Sequence, residues 1–275
     1  MRSKKYVILP YIIWSILFSV IPLILILYFA FNDGHNNFTL NNILRSLDYF
    51  RVFVKSMHLG IVSTAICLII SYPIAYFMSR CPKKLQNNIK ILVMLPMWIN
   101  ILLRTYAWLT ILEYNGILNK FLLFFNFPKL NLINTDVSII LGMVYNFIPY
   151  MLLPLHASLS KIDKELFQAA RDLGASKRKI FFKVLLPLSV PGIISSITIV
   201  FVPAISTFVI SSILGGGKNM LIGDLIEMQF LGASYNPYFG SALSLVLMFL
   251  VLIFTFIING LDKKAKKPMK STDSI

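Results

Sequence analysis

Long apolar runs separated by short polar segments dominate this chain. Six runs are long enough to cross a bilayer, which takes about 20 apolar residues in a helix. They cover residues 7–31, 57–79, 91–112, 137–159, 188–214 and 239–261. A helix satisfies its own backbone hydrogen bonds, as a segment surrounded by lipid must. The pattern therefore predicts an all-α transmembrane protein with six spans, forming a single transmembrane domain over residues 1–275.

Composition and charge fit a membrane protein, with 57% hydrophobic and 13% charged residues. A net charge of +15 would suggest nucleic acid as the partner of a soluble protein. Here, 19 of the 26 Lys and Arg residues fall before the first run and in segments 80–90, 160–187 and 262–275. All of these lie on one side of the predicted spans. The positive-inside rule predicts a multi-pass inner-membrane protein with both termini and segment 160–187 in the cytoplasm. We expect no nucleic-acid partner, and a tail at 262–275 that binds membrane lipid.

The segment 160–187 is the most polar long stretch, and it contains seven basic residues. Its first half has helical periodicity, because five apolar residues recur on one face: Ile162, Leu166, Ala169, Ala170 and Leu173. Asp163 lies where an N-cap residue would, and Gly174 would end the helix. A second short helix is expected before Pro187. Two short helices joined at a glycine would form a docking element for a soluble partner.

The spacing in this segment resembles the cytoplasmic coupling loop of ABC importer permeases. That loop reads Glu-Ala-Ala, three residues, Gly, nine residues, Ile, one residue, Leu-Pro. The chain matches with Gln168-Ala169-Ala170, Gly174 and Val184 to Pro187, the spacing being intact. Gln168 replaces the usual Glu and lacks its charge, and Val184 replaces Ile. The resemblance implies an ATPase-coupling set: Gln168, Ala169, Ala170, Arg171, Asp172, Gly174 and Pro187.

Further segments resemble permeases of spermidine/putrescine importers of the PotB type. They are residues 95–98, 103–108, 115–119 and 215–223. The resemblance implies a six-helix type I importer permease (MetI-like) with cytoplasmic coupling helices. It also implies a second homologous permease, two cytoplasmic ATPase subunits and an extracytoplasmic polyamine-binding protein. The chain has no Walker A motif, so we expect a non-catalytic subunit without cofactor or metal, and ATP with Mg²⁺ bound to the partner ATPase.

A path for polyamines should offer carboxylates, aromatic faces and amide oxygens, because polyamines are polycations. The candidates are Tyr106, Trp108, Glu113, Asn146, Tyr150, Thr207, Asp224 and Glu227. Tyr106 and Trp108 could stack on ammonium groups. Each candidate also has a simpler interpretation. The aromatic residues can belong to the interface belt, the polar residues can join helices, and the acidic residues can be solvated or contact the binding protein.

Arg104 is the one Lys or Arg residue inside a predicted span. An Arg at the bilayer centre costs roughly 2.5–3.5 kcal/mol on insertion scales. We therefore expect a structural partner, either Glu113 or Asp136, or a position at the permease–permease interface.

Two other functions remain open at this stage. An ABC permease for sulfate, iron or phosphonate would share the coupling loop. A self-sufficient secondary transporter or channel would need ion-coupling carboxylates within its spans, and the predicted spans have none well inside. Co-purification with an ATPase would separate the second alternative, and uptake assays would separate the first.

Overall fold

The computed structural model describes residues 10–34, 37–163, 165–232 and 234–270, with side chains described as far as residue 260. The predicted basic start and the last residues of the predicted tail lie outside this part. Regular structure within it is helical, apart from one bridge between Asn32 and Phe38. The helices are α1 Pro10–Ala30, α2 Asn41–Ser46, α3 Phe50–Arg80, α4 Lys83–Met94, α5 Ile101–Leu112, α6 Ile117–Phe124, α7 Asp136–Leu159, α8 Glu165–Asp172, α9 Lys177–Ser206, α10 Val209–Leu214, α11 Ile222–Phe230 and α12 Pro237–Lys270.

Five elements of the described chain are long and apolar enough to cross a membrane. They are α1, the continuous Asn41–Arg80 segment that contains α2 and α3, α7, α9, and α12 as far as Gly260. A sixth candidate is a pair of helical segments, Lys83–Trp98 and Ile101–Phe124, that meet at an angle of 89°. The prediction of an all-α membrane protein is confirmed, with five candidate spans, or six if the bent pair is one span.

The third predicted span, residues 91–112, is not one helix. Pro96 lies in a 3₁₀ turn, Leu95–Trp98, and the backbone then becomes extended at Ile99 and Asn100, where ψ is 137° at both residues. The Asn100 side chain accepts a hydrogen bond from the Leu102 N–H at 2.8 Å and so caps the N-terminus of α5. Hydropathy shows no interruption here because both halves are apolar.

The fifth predicted span, residues 188–214, also has different limits. It is interrupted at Thr207 and Phe208, between α9 and α10. At the other end of this span, α9 begins at Lys177 and contains a π turn at Phe181–Leu185. The helix then continues through Pro187 without a break. A π turn changes the hydrogen-bond register, which accommodates a residue without an N–H. The expected second coupling helix and the fifth span are therefore one helix of 30 residues, about 45 Å long.

The core lies where α3, α7 and α9 pack together. Helix α7 is the most buried span, whereas α1 has no buried residue in its apolar window and lies against α12. Small residues allow close approach: a Cβ on Gly192 of α9 would lie 2.3 Å from the Ser158 side chain of α7. Such close packing is expected in a membrane, because lipid tails are as apolar as the helix surfaces and helices therefore associate through van der Waals contact.

A polar cluster joins α3, α7 and the Gly215–Gly217 turn at the end of the bundle opposite to α8. Lys55 pairs with the Asp136 carboxylate at 2.9 Å and also donates to the Asn219 amide oxygen. Asn219 in turn donates to the Asn134 carbonyl at 2.7 Å. Gly216 and Gly217 have φ of +56° and +72°, which explains the glycines of the 215–223 segment.

We predict that Gly216→Ala destabilises the protein. A side chain at φ +56° costs about 1–2 kcal/mol, and its Cβ would lie 1.9 Å from the Asn134 amide oxygen. Thermal unfolding of the purified protein in detergent checks this. Gly260→Ala in α12 is the matched control, because nothing lies within 4 Å of its Cβ and alanine favours a helix interior by up to about 1 kcal/mol. Equal melting temperatures for the two variants would contradict the prediction.

Candidate translocation path and coupling surface

The two interrupted spans meet each other. Helix α10, which follows the second break, packs against α5, which follows the first, and both pack against α7. The contact with α7 is close, because a Cβ on Gly142 would lie 2.5 Å from Leu214 and 2.8 Å from Ile210. Non-helical backbone at membrane depth is tolerated where it is buried in protein or lines a cavity. The α5–α7–α10 cluster is therefore the candidate path.

Asp224 serves the structure of this cluster. Its carboxylate accepts hydrogen bonds from the Leu221 N–H at 2.7 Å and from the Ser211 hydroxyl at 2.9 Å. These bonds cap α11 and tie it to α10. Gly223 lies against the second break, since its Cβ would meet the Ser206 and Thr207 carbonyl oxygens at 2.5 Å. The simpler interpretation of Asp224 as a solvated residue does not hold, because the structure buries it at 6% exposure.

Burial raises the pKa of the Asp224 carboxyl from 3.8 to about 6. The two hydrogen bonds favour the charged form and partly oppose this rise, while the Glu227 charge adds to it. Glu227 is half-buried one turn further along α11. The two carboxyl groups therefore lie on one helix, and Glu227 is the more accessible of the two.

The α7 candidates differ in accessibility. Asn146 is 1% exposed and donates to the Gly142 carbonyl at 2.8 Å, while its amide oxygen has no partner among the described residues. An unpaired buried amide oxygen is costly, so it is suited to a donor that arrives from outside the chain. Tyr150 is 39% exposed, with its ring against Phe147. Thr207, at the break, is buried, and its carbonyl accepts from Ser211.

Tyr106 and Trp108 do not form one stacking surface. They are two residues apart on α5, so they point to different sides of the helix. Trp108 packs edge-on against Tyr145 of α7, with ring centroids 5.3 Å apart, whereas Tyr106 is 54% exposed. Glu113 is exposed at the end of α5. Sequence reasoning missed Tyr145, for which the only signal was its position next to Asn146.

Arg104 lacks the partner that the sequence suggested. It is 8% exposed, and its Nε and Nη1 atoms have no hydrogen-bond partner among the described residues. Asp136 pairs with Lys55 instead, and Glu113 faces outward. The prediction of Glu113 or Asp136 as a neutralising partner is therefore wrong. A position at the permease–permease interface stays a prediction, which co-purification of an Arg104→Gln protein with a second permease would test.

The coupling segment has a geometry that explains its spacing. The Asp163 carboxylate accepts from the Glu165 N–H at 3.1 Å, as an N-cap residue does at the start of α8. At the other end, the Ala175 N–H donates to the Ala170 carbonyl and the Gly174 N–H donates to the Arg171 carbonyl. Gly174 has φ +75°. This is a Schellman motif, in which the Ala170-to-Gly174 spacing is fixed by the hydrogen bonds.

The exposed surface of α8 is the one predicted to be apolar. Leu166 and Leu173 are 47% and 88% exposed, and Ala169 is exposed with them. Ala170 is half-buried, and the polar members of the predicted set are exposed: Gln168, Arg171 and Asp172. Pro187 is exposed too, but it lies within α9 and not at its start. The chain thus leaves an amphipathic helix surface uncovered beside the glycine elbow.

Solved structures share this fold and define the class. A bacterial alginate ABC transporter in complex with an alginate pentasaccharide-bound periplasmic protein contains a chain that matches with a TM-score of 0.76. The match covers 96% of this chain and 94% of that chain at 17% identity. A chain of the MetNI methionine ABC transporter matches with a TM-score of 0.60, over 78% of this chain and 95% of that one, at 18% identity. The chain therefore has the fold of ABC type I importer permeases.

Sequence comparison gives the family. Residues 71–267 match the family model of the binding-protein-dependent transport system inner membrane component, and the chain belongs to this family. It is 36% identical to the spermidine/putrescine transport system permease protein PotB of Salmonella typhimurium, over 96% of both chains. It is 37% identical to the PotB permease of Haemophilus influenzae, over 91% of both. The expected permease fold and the expected family are confirmed.

We predict that Asp224→Ala destabilises the protein by about 1–3 kcal/mol, because the buried Leu221 N–H loses its acceptor. Thermal unfolding in detergent measures this, with Glu227→Ala as the control on the same helix.

Because the folded-state pKa of Asp224 is raised, its protonation favours the folded state. This stabilisation is complete below pH 4 and is lost as the pH rises through 6. Asp224→Asn should remove that pH dependence. Wild-type stability of Asp224→Ala with loss of transport would contradict the structural role.

Proposed function

We propose that this chain is the membrane-spanning permease subunit of an ATP-driven, binding-protein-dependent importer of polyamines. It forms one half of the path for spermidine or putrescine and takes its energy from a separate ATPase. The similarity to PotB permeases over nearly the full chain supports the solute class. The chain is a transport component of the inner membrane, as its family and its apolar helices indicate.

The observation that carries the mechanism is the continuity of α9. This helix starts at Lys177, directly after its N-cap residue Ser176, two residues beyond the Gly174 elbow, and it ends at the Thr207 break. A soluble partner that moves the elbow therefore acts on a rod whose far end borders the candidate path. Rotation of that rod would shift α10 against α5 and α7 and so open or close the path.

The partners follow from this mechanism. ATP and Mg²⁺ bind to two cytoplasmic ATPase subunits, which receive the exposed surface of α8. A second homologous permease supplies the other wall of the path and covers apolar residues beside the first break, such as Trp98, which is 77% exposed. An extracytoplasmic polyamine-binding protein delivers the solute. This arrangement puts both termini and α8 in the cytoplasm, consistent with the distribution of Lys and Arg.

The site chemistry suits a cation. Asn146 presents a buried amide oxygen, and four members of the candidate set are accessible: Tyr106, Glu113, Tyr150 and Glu227. The membrane potential favours cation entry by about 2.3 kcal/mol per charge per 100 mV. A path that stayed open would leak cations, so the gate must open only for a loaded binding protein. ATP hydrolysis then drives the gate and not the solute directly.

Uptake by intact cells tests the solute class. In a host that lacks its own polyamine importer, we expect radiolabelled spermidine or putrescine to accumulate only when this chain is produced with its partner subunits. Sulfate, iron and phosphonate uptake should stay at the host level. Restoration of one of those uptakes, without polyamine uptake, would overturn the polyamine assignment while leaving the permease class intact.

A second prediction concerns the elbow. Gly174→Asp should abolish uptake and coupled ATP hydrolysis while leaving the protein in the membrane. The variant puts a side chain at φ +75° and a negative charge at the C-terminal end of α8, where the helix dipole disfavours it. Gly174→Asn is the matched control, because Asn tolerates this backbone conformation and carries no charge. Wild-type coupling in Gly174→Asp would rule out the docking role.

A further inference from the structure

Helix α8 is held to the rest of the chain by very little. Phe167 is its one buried residue, at 8% exposure, among the described positions. The apolar residues on the neighbouring side of the helix, Leu166 and Leu173, face outward. The hydrogen bonds of the Schellman motif fix where α8 ends, but nothing lies within 4 Å of the position of a Gly174 Cβ, so no side-chain packing at the elbow supports the helix. The orientation of α8 must therefore depend strongly on what Phe167 contacts.

Phe167 contacts Arg80, the last residue of α3. The guanidinium carbon of Arg80 lies 4.2 Å from the centroid of the Phe167 ring and 5.2 Å from that of Tyr76, one turn earlier on α3. Both distances are within the range of cation–π attraction, which is about 6 Å. The Nε and Nη2 atoms of Arg80 are buried without a hydrogen-bond partner among the described residues. Among the described residues, the Arg80 guanidinium therefore interacts with the aromatic rings of Tyr76 and Phe167.

The surroundings leave the cation without a competing carboxylate. Arg80 and Phe167 line a cleft of about 700 Å³ between α3, α8 and the start of α9. Its other charged lining residues are Arg171 and Lys177, and no Asp or Glu lines it in the described part of the chain. An ion pair would accept many orientations of α8 in water. Contact with a ring face restricts the orientation more, because the cation must lie over the ring and within about 6 Å of its centroid.

We propose that Arg80 is a positioning residue for energy coupling: its guanidinium, held between Tyr76 and Phe167, fixes α8 at the angle that its partner ATPase engages. We call this set the Arg80 clamp. It joins α8 to the second span, whereas the Gly174 elbow joins it to α9. Movement of α8 would therefore reach two spans at once. The proposal deepens the proposed function and rests on α8 being the ATPase-coupling helix.

The test uses the complete transporter in proteoliposomes and measures the ATP hydrolysed per spermidine imported. Arg80→Gln removes the cation, and Phe167→Leu removes the ring while keeping apolar bulk. We expect each to raise the ratio at least about twofold, since loss of a cation–π contact shifts a conformational equilibrium by about two- to thirty-fold. The double variant should be no worse than either single variant. Arg51→Gln and Phe256→Leu, both exposed and remote from the cleft, should leave the ratio unchanged.

Conservative variants separate the clamp from a role in folding. Arg80→Lys and Phe167→Tyr keep a cation and a ring, so they should restore much of the wild-type ratio. A merely structural role would reduce the amount of assembled transporter, and with it uptake and hydrolysis together, at an unchanged ratio. If Arg80→Gln does not assemble, Phe167→Leu and the two conservative variants still decide the question.

Each remaining outcome has a meaning. Additive effects of Arg80→Gln and Phe167→Leu, or wild-type ratios in both, would overturn the clamp. The Gly174→Asp protein, measured in parallel, distinguishes this failure from failure of the proposed function. If Gly174→Asp uncouples the transporter and the clamp variants do not, only the clamp is wrong. If Gly174→Asp also couples normally, α8 is not the coupling helix.

Discussion

Backbone hydrogen bonds must be satisfied at membrane depth, and this requirement governs the whole fold. The chain interrupts two spans, at Ile99–Asn100 and at Thr207–Phe208, where lipid offers no partner for the freed groups. Protein groups supply these hydrogen-bond partners instead. Asn100 caps α5, Ser211 donates to the Thr207 carbonyl, and Gly223 brings α11 directly against the second break. The second break is thus enclosed by α10 and α11, whereas the first is stabilised by the Asn100 cap, with Ile99 still 51% exposed. The candidate path lies where the helices that follow the two breaks, α5 and α10, meet α7.

The same requirement makes α9 a mechanical element. Three prolines lie in this helix, yet it stays continuous from Lys177 to Ser206 because the π turn absorbs the change of register before Pro187. A break at Pro187 would separate the elbow from the path. Continuity instead places the docking surface and the gate at opposite ends of one rod. The Arg80 clamp would add a second connection, from α8 to the second span.

Hydropathy was enough to predict an all-α membrane protein, for which the structure has five to six candidate spans, and the charge distribution marked the polar segment that contains α8. The end of α8 could also be predicted, since the Ala170-to-Gly174 spacing reflects the hydrogen bonds of a helix terminus. The partners of individual side chains could not be predicted from the spacing of residues along the sequence. Asp136 pairs with Lys55 and not with Arg104, and Asp224 caps α11, because tertiary contacts between distant segments decide these pairings. The two breaks escaped detection for a simpler reason: the residues on both sides of them are apolar.

Motion within the assembled transporter tests the central claim most directly. Spin labels at Lys179 and Ser195 would report on α9 itself, and labels at Ser195 and Ser212 would span the Thr207 break. Pulsed electron paramagnetic resonance should find the first distance unchanged between nucleotide-free and ATP-bound states, and the second distance changed. If ATP changes the distance within α9 and leaves the one across the break constant, α9 does not carry movement to the path.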